Sequence, residues 1–461
     1  MTTARPLPLL AHAQQIWRAG LDAVRSERLM REAVRVDGDT LFIDGEPIDL
    51  KAVQRIVVVG GGKAGAGMSA ELEAILGERL LAEKQVTGWV NVPDDCVRPL
   101  RQIHLHGARP PGRNEPMEAG VYGVRQMLKI VESLTGDDLC LALISGGGSA
   151  LMPAPVPGVS LVDKQALTRY LSAAGANIAE LNTVRKQLSE IKGGGLARHC
   201  RAGTLVSLII SDVLGDPLDV IASGPTVPDT STAADALDVL NRFGAVEQNI
   251  APAAVEYLCS RRVGQARRGR RPTTTSDCHI RNIIIGNNAR AVDAAGIAAE
   301  RLYYSHAMVA ATKLEGPVEE IGRHLARMAL QMRDTSGPNC LISGGEGTVT
   351  LAPESDRGVG GRNQQLVLAA LHELLDRDPN EGRGIAILSG GTDGEDGPTD
   401  AAGAWLDTTT IAATRRRSLD PAEYLRRNDA YHFFELLGAL LRTGPTHTNV
   451  CDVRVVVVER P

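Results

Sequence analysis

The chain has 461 residues, 43% hydrophobic but only 3% aromatic, with a formal net charge of -5. That length calls for two domains or three, and the composition excludes general disorder and cores built on aromatic rings. The charge gives no reason to expect a nucleic-acid partner, and no apolar run nears the ~20 residues needed to span a bilayer. The seven cysteines are scattered and form no CxxC pair, which argues against a zinc site or a disulfide framework. The apolar PLPLL near the start runs into polar His12, Gln14 and Gln15, unlike a secretory leader, so a soluble cytoplasmic protein is expected.

Five β-branched runs end abruptly in glycine-rich turns: RIVVVGGGKAGAGM from Arg55, LALISGGGSALM from Leu141, TLVSLIISDVLGD from Thr204, CLISGGEGTVTL from Cys340 and GIAILSGGTDGEDGPTDAAG from Gly384. Continuous apolar runs are the signature of strands buried on both faces, and ligands of such sheets bind beyond the strands' carboxyl ends. From about residue 55 to 240 strands and helices alternate, as in an α/β fold. Helices are expected after Gly65 and from Val121, and a further strand at VTGWVNV from Val86. A third helix is expected from Glu180, with Val184, Leu188 and Ile191 on one face and Gly193–Gly195 as its stop. Residues 261–271 (RRVGQARRGRR) read as a solvated connector rather than a nucleic-acid contact. Another strand–turn–helix follows from Arg281, and VRVVVV from Val453 reads as a last strand.

The first turn, Gly60-Gly61-Gly62-Lys63-Ala64-Gly65, matches GxGxxG between a strand and a helix, which brings a dinucleotide-binding enzyme into view. Lys63 inside the loop points elsewhere. A lysine there opposes the positive end of the helix dipole and calls for an anion. Arg362 in GGRNQ opens an amphipathic helix, where its planar fork suits a phosphate or carboxylate. Two such cations are what a phosphoryl-transfer site uses to stabilise charge on the moving group. Ser145, Gly146, Gly147, Gly148 and Ser149 offer amides and hydroxyls to an anion. Asp212, at the end of its strand, can accept a hydroxyl proton or hold a metal; Asp393 and the weaker Glu346 are metal candidates. A non-catalytic phosphate-ligand sensor would also use such turns, and a hydride-transferring reductase could recruit His106 as its acid.

Taken together and in order, VVGGGKAGAGM, LISGGGSALMPAP, LNTVRKQLSEIKGGGLA, SDVLGDPLDVIASGPT, ISGGEGTVTL, GGRNQ, LSGGTDGEDGPTDAAGAW and TGPTHTNVCD resemble the glycerate 2-kinase family with its C-terminal MOFRL domain. Some of these proteins also carry the label hydroxypyruvate reductase, and a NAD(P)-dependent reductase is the alternative activity. The resemblance covers nearly the whole chain. It implies ATP-dependent phosphorylation of D-glycerate to 2-phosphoglycerate with Mg2+. Independently of the resemblance, no membrane or nucleic-acid partner is expected, and a homodimer is an allowed assembly. The resemblance implies a Rossmann-like α/β domain over 1–255, a basic connector over 256–280, a smaller α/β domain over 281–461, and a site in the cleft between them. It places the family's catalytic lysine and arginine on Lys63 and Arg362, and adds Lys192, before the triple glycine, to the nucleotide-binding candidates Gly60, Gly61 and Gly62 and the Ser145–Ser149 turn. Three segments depart from the family pattern: GARPPGRNEP from Gly107, Gln365 in place of an acid, and His447 with Cys451 in TGPTHTNVCD.

Overall fold

The computed structural model describes residues 9–111, 115–268, 278–378 and 382–460. Three short strands, Val34–Asp37 (β1), Thr40–Ile43 (β2) and Glu46–Asp49 (β3), form an antiparallel meander that the sequence did not announce. The β-branched runs then build a six-stranded sheet from Ile56–Gly61 (β4), Thr87–Pro93 (β5), Ile103–Arg109 (β6), Leu139–Ser145 (β7), Thr204–Ile210 (β8) and His279–Gly286 (β9). Its order is β6-β5-β4-β7-β8-β9, and the pairs from β6 across to β8 are parallel. Counted from β4 this is the doubly wound order, whose switch point falls between β4 and β7. Every residue of β4 and β7 is buried, which explains why both read as unbroken apolar runs. The expected helices are present at Gly65–Glu83 and Glu118–Glu132.

A second sheet uses His306–Ala310 (β10), Cys340–Gly345 (β11), Ile385–Gly391 (β12), Gly403–Leu406 (β13), Leu440–Leu441 (β14) and Asp452–Val458 (β15), in the order β10-β11-β15-β12-β13-β14. It is mixed. β10 and β11 run parallel, whereas β15 lies antiparallel between β11 and β12. Its valines are continuous because both faces of the strand are covered. One face packs on the helices Val318–Asp334 and Arg362–Arg377 through Leu325, Leu366, Leu371 and Leu374, with Phe433 and Phe434 beside them. The amino-terminal helix Leu9–Ala23 packs with this sheet, although the sheet's first strand begins only at His306. The indole of Trp17 is wholly buried and donates from Nε1 to the Val453 carbonyl at 3.1 Å.

By compactness the chain divides into two units, Met30–Ile210 with Asp216–Ile285, and Met1–Leu29 with Ser211–Gly215 and Gly286–Pro461. Two local expectations change. The helix expected from Glu180 is Ile178–Gln187 and ends before Leu188, because Glu190 N–H turns to the Ala154 carbonyl and Pro155 bridges Ser189. Gly193 and Gly194 are therefore not its stop; both adopt left-handed φ angles (54° and 75°) and donate to the carbonyls of Ser223 and Gly224 at 2.9 and 2.7 Å. The basic run from Arg261 begins inside a helix, Pro252–Arg268, instead of a connector, and its last part lies outside the described residues. Among the described residues no helix is long and apolar enough to cross a membrane.

Replacing Trp17 by Ala removes the buried ring and the hydrogen bond that tie the first helix to β15. A loss of about 3–5 kcal/mol is expected, read in denaturant unfolding as an early transition of the unit holding β15. An unchanged unfolding curve would contradict this packing.

Candidate active site

The switch point of the parallel sheet is built by two glycine turns pressed together. At Gly60 an added Cβ would sit 1.9 Å from the Leu143 carbonyl oxygen, and at Gly62 it would sit 2.0 Å from Ser145 Oγ. These glycines therefore let the ends of β4 and β7 touch. Gly61 is closed off too, with Met152 Cγ 2.9 Å from where its Cβ would be. The turn's amides are committed inside the protein: Gly62 N–H donates to the Asn91 carbonyl (3.1 Å), Lys63 N–H to the Gly146 carbonyl (2.8 Å) and Ala64 N–H to Ser145 Oγ (3.0 Å). A dinucleotide fingerprint needs such groups for pyrophosphate. Here the turn presents a side chain instead. Lys63 Cγ and Arg109 Nη2 both approach Gly147, at 3.4 and 3.5 Å from its would-be Cβ. Arg109 is the last residue of β6 and is 2% exposed. Sequence reading missed it because only the fold brings the side chain at the end of β6 to the turn after β7. His106, the reductase's candidate acid, bonds through Nε2 to the Ala119 carbonyl at 2.9 Å.

A second cluster in the same unit gathers three sequence motifs. Ser149, after the triple glycine of β7, receives Arg185 Nη2 at 2.5 Å and Lys192 Nζ at 2.5 Å on its Oγ, and stands 3.1 Å from Ser223 Oγ. Lys192 Nζ also donates to the Ser149 carbonyl at 2.9 Å and to Ser223 Oγ at 3.4 Å. Burial pushes the Lys192 ammonium well down from its ordinary value, and the neighbouring charges of Arg185 and Lys164 push it further. Ala222 and Ser223 both hold left-handed φ angles (50° and 62°), a strained geometry fixed by the bonds from Gly193 and Gly194. Arg185 and Ser223 lie within the quoted motifs but were not singled out there.

In the other unit the antiparallel β15 begins where β11 and β12 end, so Asp452 pairs with Gly345 on one side and Gly391 on the other. Glu346 and Asp393 follow those glycines within two residues. Arg362 opens its helix beside this edge. It is paired with Glu346 and lies 3.6 Å from Asp452 Oδ1, so that its guanidinium is held charged by Asp452 first and then Glu346. The helix N-terminus is occupied by Asp396, whose two carboxylate oxygens accept the amides of Asn363 (3.0 Å) and Gln364 (2.8 Å). The anion that a helix-opening arginine demands is thus supplied by Asp396, Asp452 and Glu346. Asp212 clusters with this unit: Asn449 Nδ2 donates to its Oδ2 at 3.3 Å, and the Cys451 thiol donates to its carbonyl at 2.9 Å. Burial pushes that thiol up, reinforced by Glu346, Asp212 and Asp452. Asp393 Oδ1 accepts the Glu395 amide at 3.1 Å. Among the described residues no three His, Cys, Asp or Glu side chains form a ready metal cage. The predicted residues therefore fall into two sets, Lys63 with the turns and Lys192, and Arg362 with Glu346, Asp212 and Asp393.

Burial pushes the Asp396 carboxyl up to about 7, against the pull of the two helix amides. Between the ordinary carboxyl range and pH 7 the folded protein keeps a proton that the unfolded chain has released, so this group's contribution falls as pH rises through that window. Asp396→Asn is neutral throughout. The melting temperature of the native protein relative to this variant is expected to drop between pH 4.5 and 7.5; a constant difference would contradict the assignment.

Comparison with known proteins fits this picture. A family model described as a domain of unknown function, DUF4147, matches residues 12–259, and the MOFRL family model matches residues 339–452. A rat (Rattus norvegicus) glycerate kinase is 37% identical over 98% of this chain and 93% of its own length. A D-glycerate 2-kinase of Thermotoga maritima is 36% identical over 94% of this chain and 98% of its own length. A crystal structure of glycerate kinase from Thermotoga maritima superposes with a TM-score of 0.79 at 32% identity, covering 98% of this chain and 99% of that one. With both family models matched and near full-length kinship at this identity, the chain belongs to the DUF4147–MOFRL family of glycerate 2-kinases.

Proposed function

We propose that the protein transfers the terminal phosphoryl group of ATP to the 2-hydroxyl of D-glycerate, forming 2-phosphoglycerate and ADP. The near full-length kinship to proteins named glycerate kinase and D-glycerate 2-kinase supports the reaction. The single observation that favours it over a nicotinamide-dependent reductase is the commitment of the Lys63 and Ala64 amides to Gly146 and Ser145. A dinucleotide would have to displace those bonds, whereas a phosphoryl group needs only the lysine side chain that the turn presents.

In this reading Lys63 and Arg362 neutralise charge on the moving phosphoryl group, and the Gly146–Gly148 turn lies against the nucleotide's phosphates. Asp212, oriented by Asn449, accepts the proton released by the attacking hydroxyl. The carboxylates of Glu346 and Asp393 are hard oxygen donors, suited to a magnesium ion whose remaining positions are filled by phosphate and water. That mode needs only one or two protein carboxylates. Magnesium would supply charge neutralisation on the nucleotide. Asp452 acts through Arg362 and is a positioning residue. The seven free cysteines suit a reducing compartment, so the cytoplasm is the proposed location.

Incubation with D-glycerate and Mg-ATP, with 2- and 3-phosphoglycerate resolved, should give ADP and the 2-isomer. ADP with only the 3-isomer, or no ADP, would overturn the reading. Lys63→Ala and Arg362→Ala should each lower kcat by roughly 1,000-fold while the circular dichroism spectrum is kept. Near-normal turnover in either variant would remove that residue from the mechanism.

A further inference from the structure

The SGGGS turn reads from sequence as a nucleotide contact, but the side chains that meet at Ser149 point to a different ligand. Two cations, Arg185 and Lys192, each stand 2.5 Å from one neutral hydroxyl, and Ser223 adds a second hydroxyl 3.1 Å from the first. Asn182 Oδ1 lies 3.4 Å from Arg185 Nη1 and from Ser223 Oγ. Nothing in this group is negatively charged. Lys192, Ser223 and Asn182 are 3%, 1% and 6% exposed, while Arg185 and Ser149 are half-buried and form the open side. The other charges facing it are Lys164, whose ammonium burial and Arg185 push down to about 7, and Glu190. Two hydrogen-bonding cations without an anion, held by a strained loop, are the arrangement a bound anion would complete.

We propose that Arg185, Lys192, Ser149 and Ser223 form the subsite for the carboxylate of the acceptor hydroxy acid. This rests on the kinase reading and adds the acceptor's orientation to it. A carboxylate fits better than the nucleotide's phosphates for three reasons. It is small and planar, matching one guanidinium edge flanked by two hydroxyls. The site is largely buried, which suits a compact monoanion more than a solvated polyphosphate chain. The unit's other cation pair, Lys63 and Arg109, meets at Gly147, and in the kinase reading it is left to the phosphates.

Steady-state kinetics of Arg185→Ala and Arg185→Lys test this. The Ala variant should raise KM for D-glycerate roughly 100-fold with KM for ATP nearly constant, and the Lys variant should fall between it and the native protein. A rise in KM for ATP instead would assign the cluster to phosphate, and constancy of both would make it structural; either overturns the proposal. If the native protein leaves D-glycerate unphosphorylated, the kinase reading fails, and the subsite is read separately. Calorimetric titration of D-glycerate without ATP should then give saturable, Arg185-dependent binding. No binding, or binding unaltered in Arg185→Ala, overturns the subsite.

Discussion

The contact between the ends of β4 and β7 is the constraint on which the parallel-sheet site depends. Gly60 and Gly62 allow backbone to touch backbone there, and the Lys63 and Ala64 amides close the contact on Gly146 and Ser145. Three consequences follow from this lock. The helix start loses the free amides that would cradle a pyrophosphate, the Lys63 side chain is fixed beside Gly147 and Arg109, and the SGGGS turn is positioned to deliver Ser149 to Arg185 and Lys192. One sequence pattern, GxGxxG, is thus closed on itself when its amides are spent within the protein. Its glycines are explained by packing before any ligand is invoked.

The second unit reaches a comparable result by strand direction. Because β15 runs antiparallel between β11 and β12, its first residue, Asp452, arrives at the edge where the other two strands end. A parallel strand there would have delivered its carboxyl end to that edge. The inversion sets a buried carboxylate against Arg362 and leaves the half-exposed Glu346 as the exchangeable partner. Asp396 meanwhile satisfies the helix amides, so Arg362 is free of the capping task and is oriented as a cation.

Much of this was legible in the sequence, and the parts that were not share a physical cause. The β-branched runs located β4, β7, β8, β11 and β12, since burial on both faces removes polar residues from a strand. β6 was hidden by its histidines, and β1–β3 by their short alternating pattern. Lys63 and Arg362 stood out because each is electrostatically odd at a helix start. For Arg362 that oddness turned out to be met by Asp396, Asp452 and Glu346, so its position by itself does not demand a ligand. Arg109 and Asp452 could not be found by local reasoning, because their significance comes from strand order and direction. The triple glycine at 193–195 was misread as a helix stop since its partner, the loop at Ser223, lies about thirty residues on.

In the proposed function the β4 turn serves as a cation platform and not as a dinucleotide cradle. Equilibrium binding measures it most directly, by calorimetric titration of the native protein with Mg-ATP and, separately, with NADH. The expected result is saturable binding of Mg-ATP that weakens in Lys63→Ala, and no binding of NADH at millimolar concentration. NADH binding that persists in Lys63→Ala, with none for Mg-ATP, would contradict it.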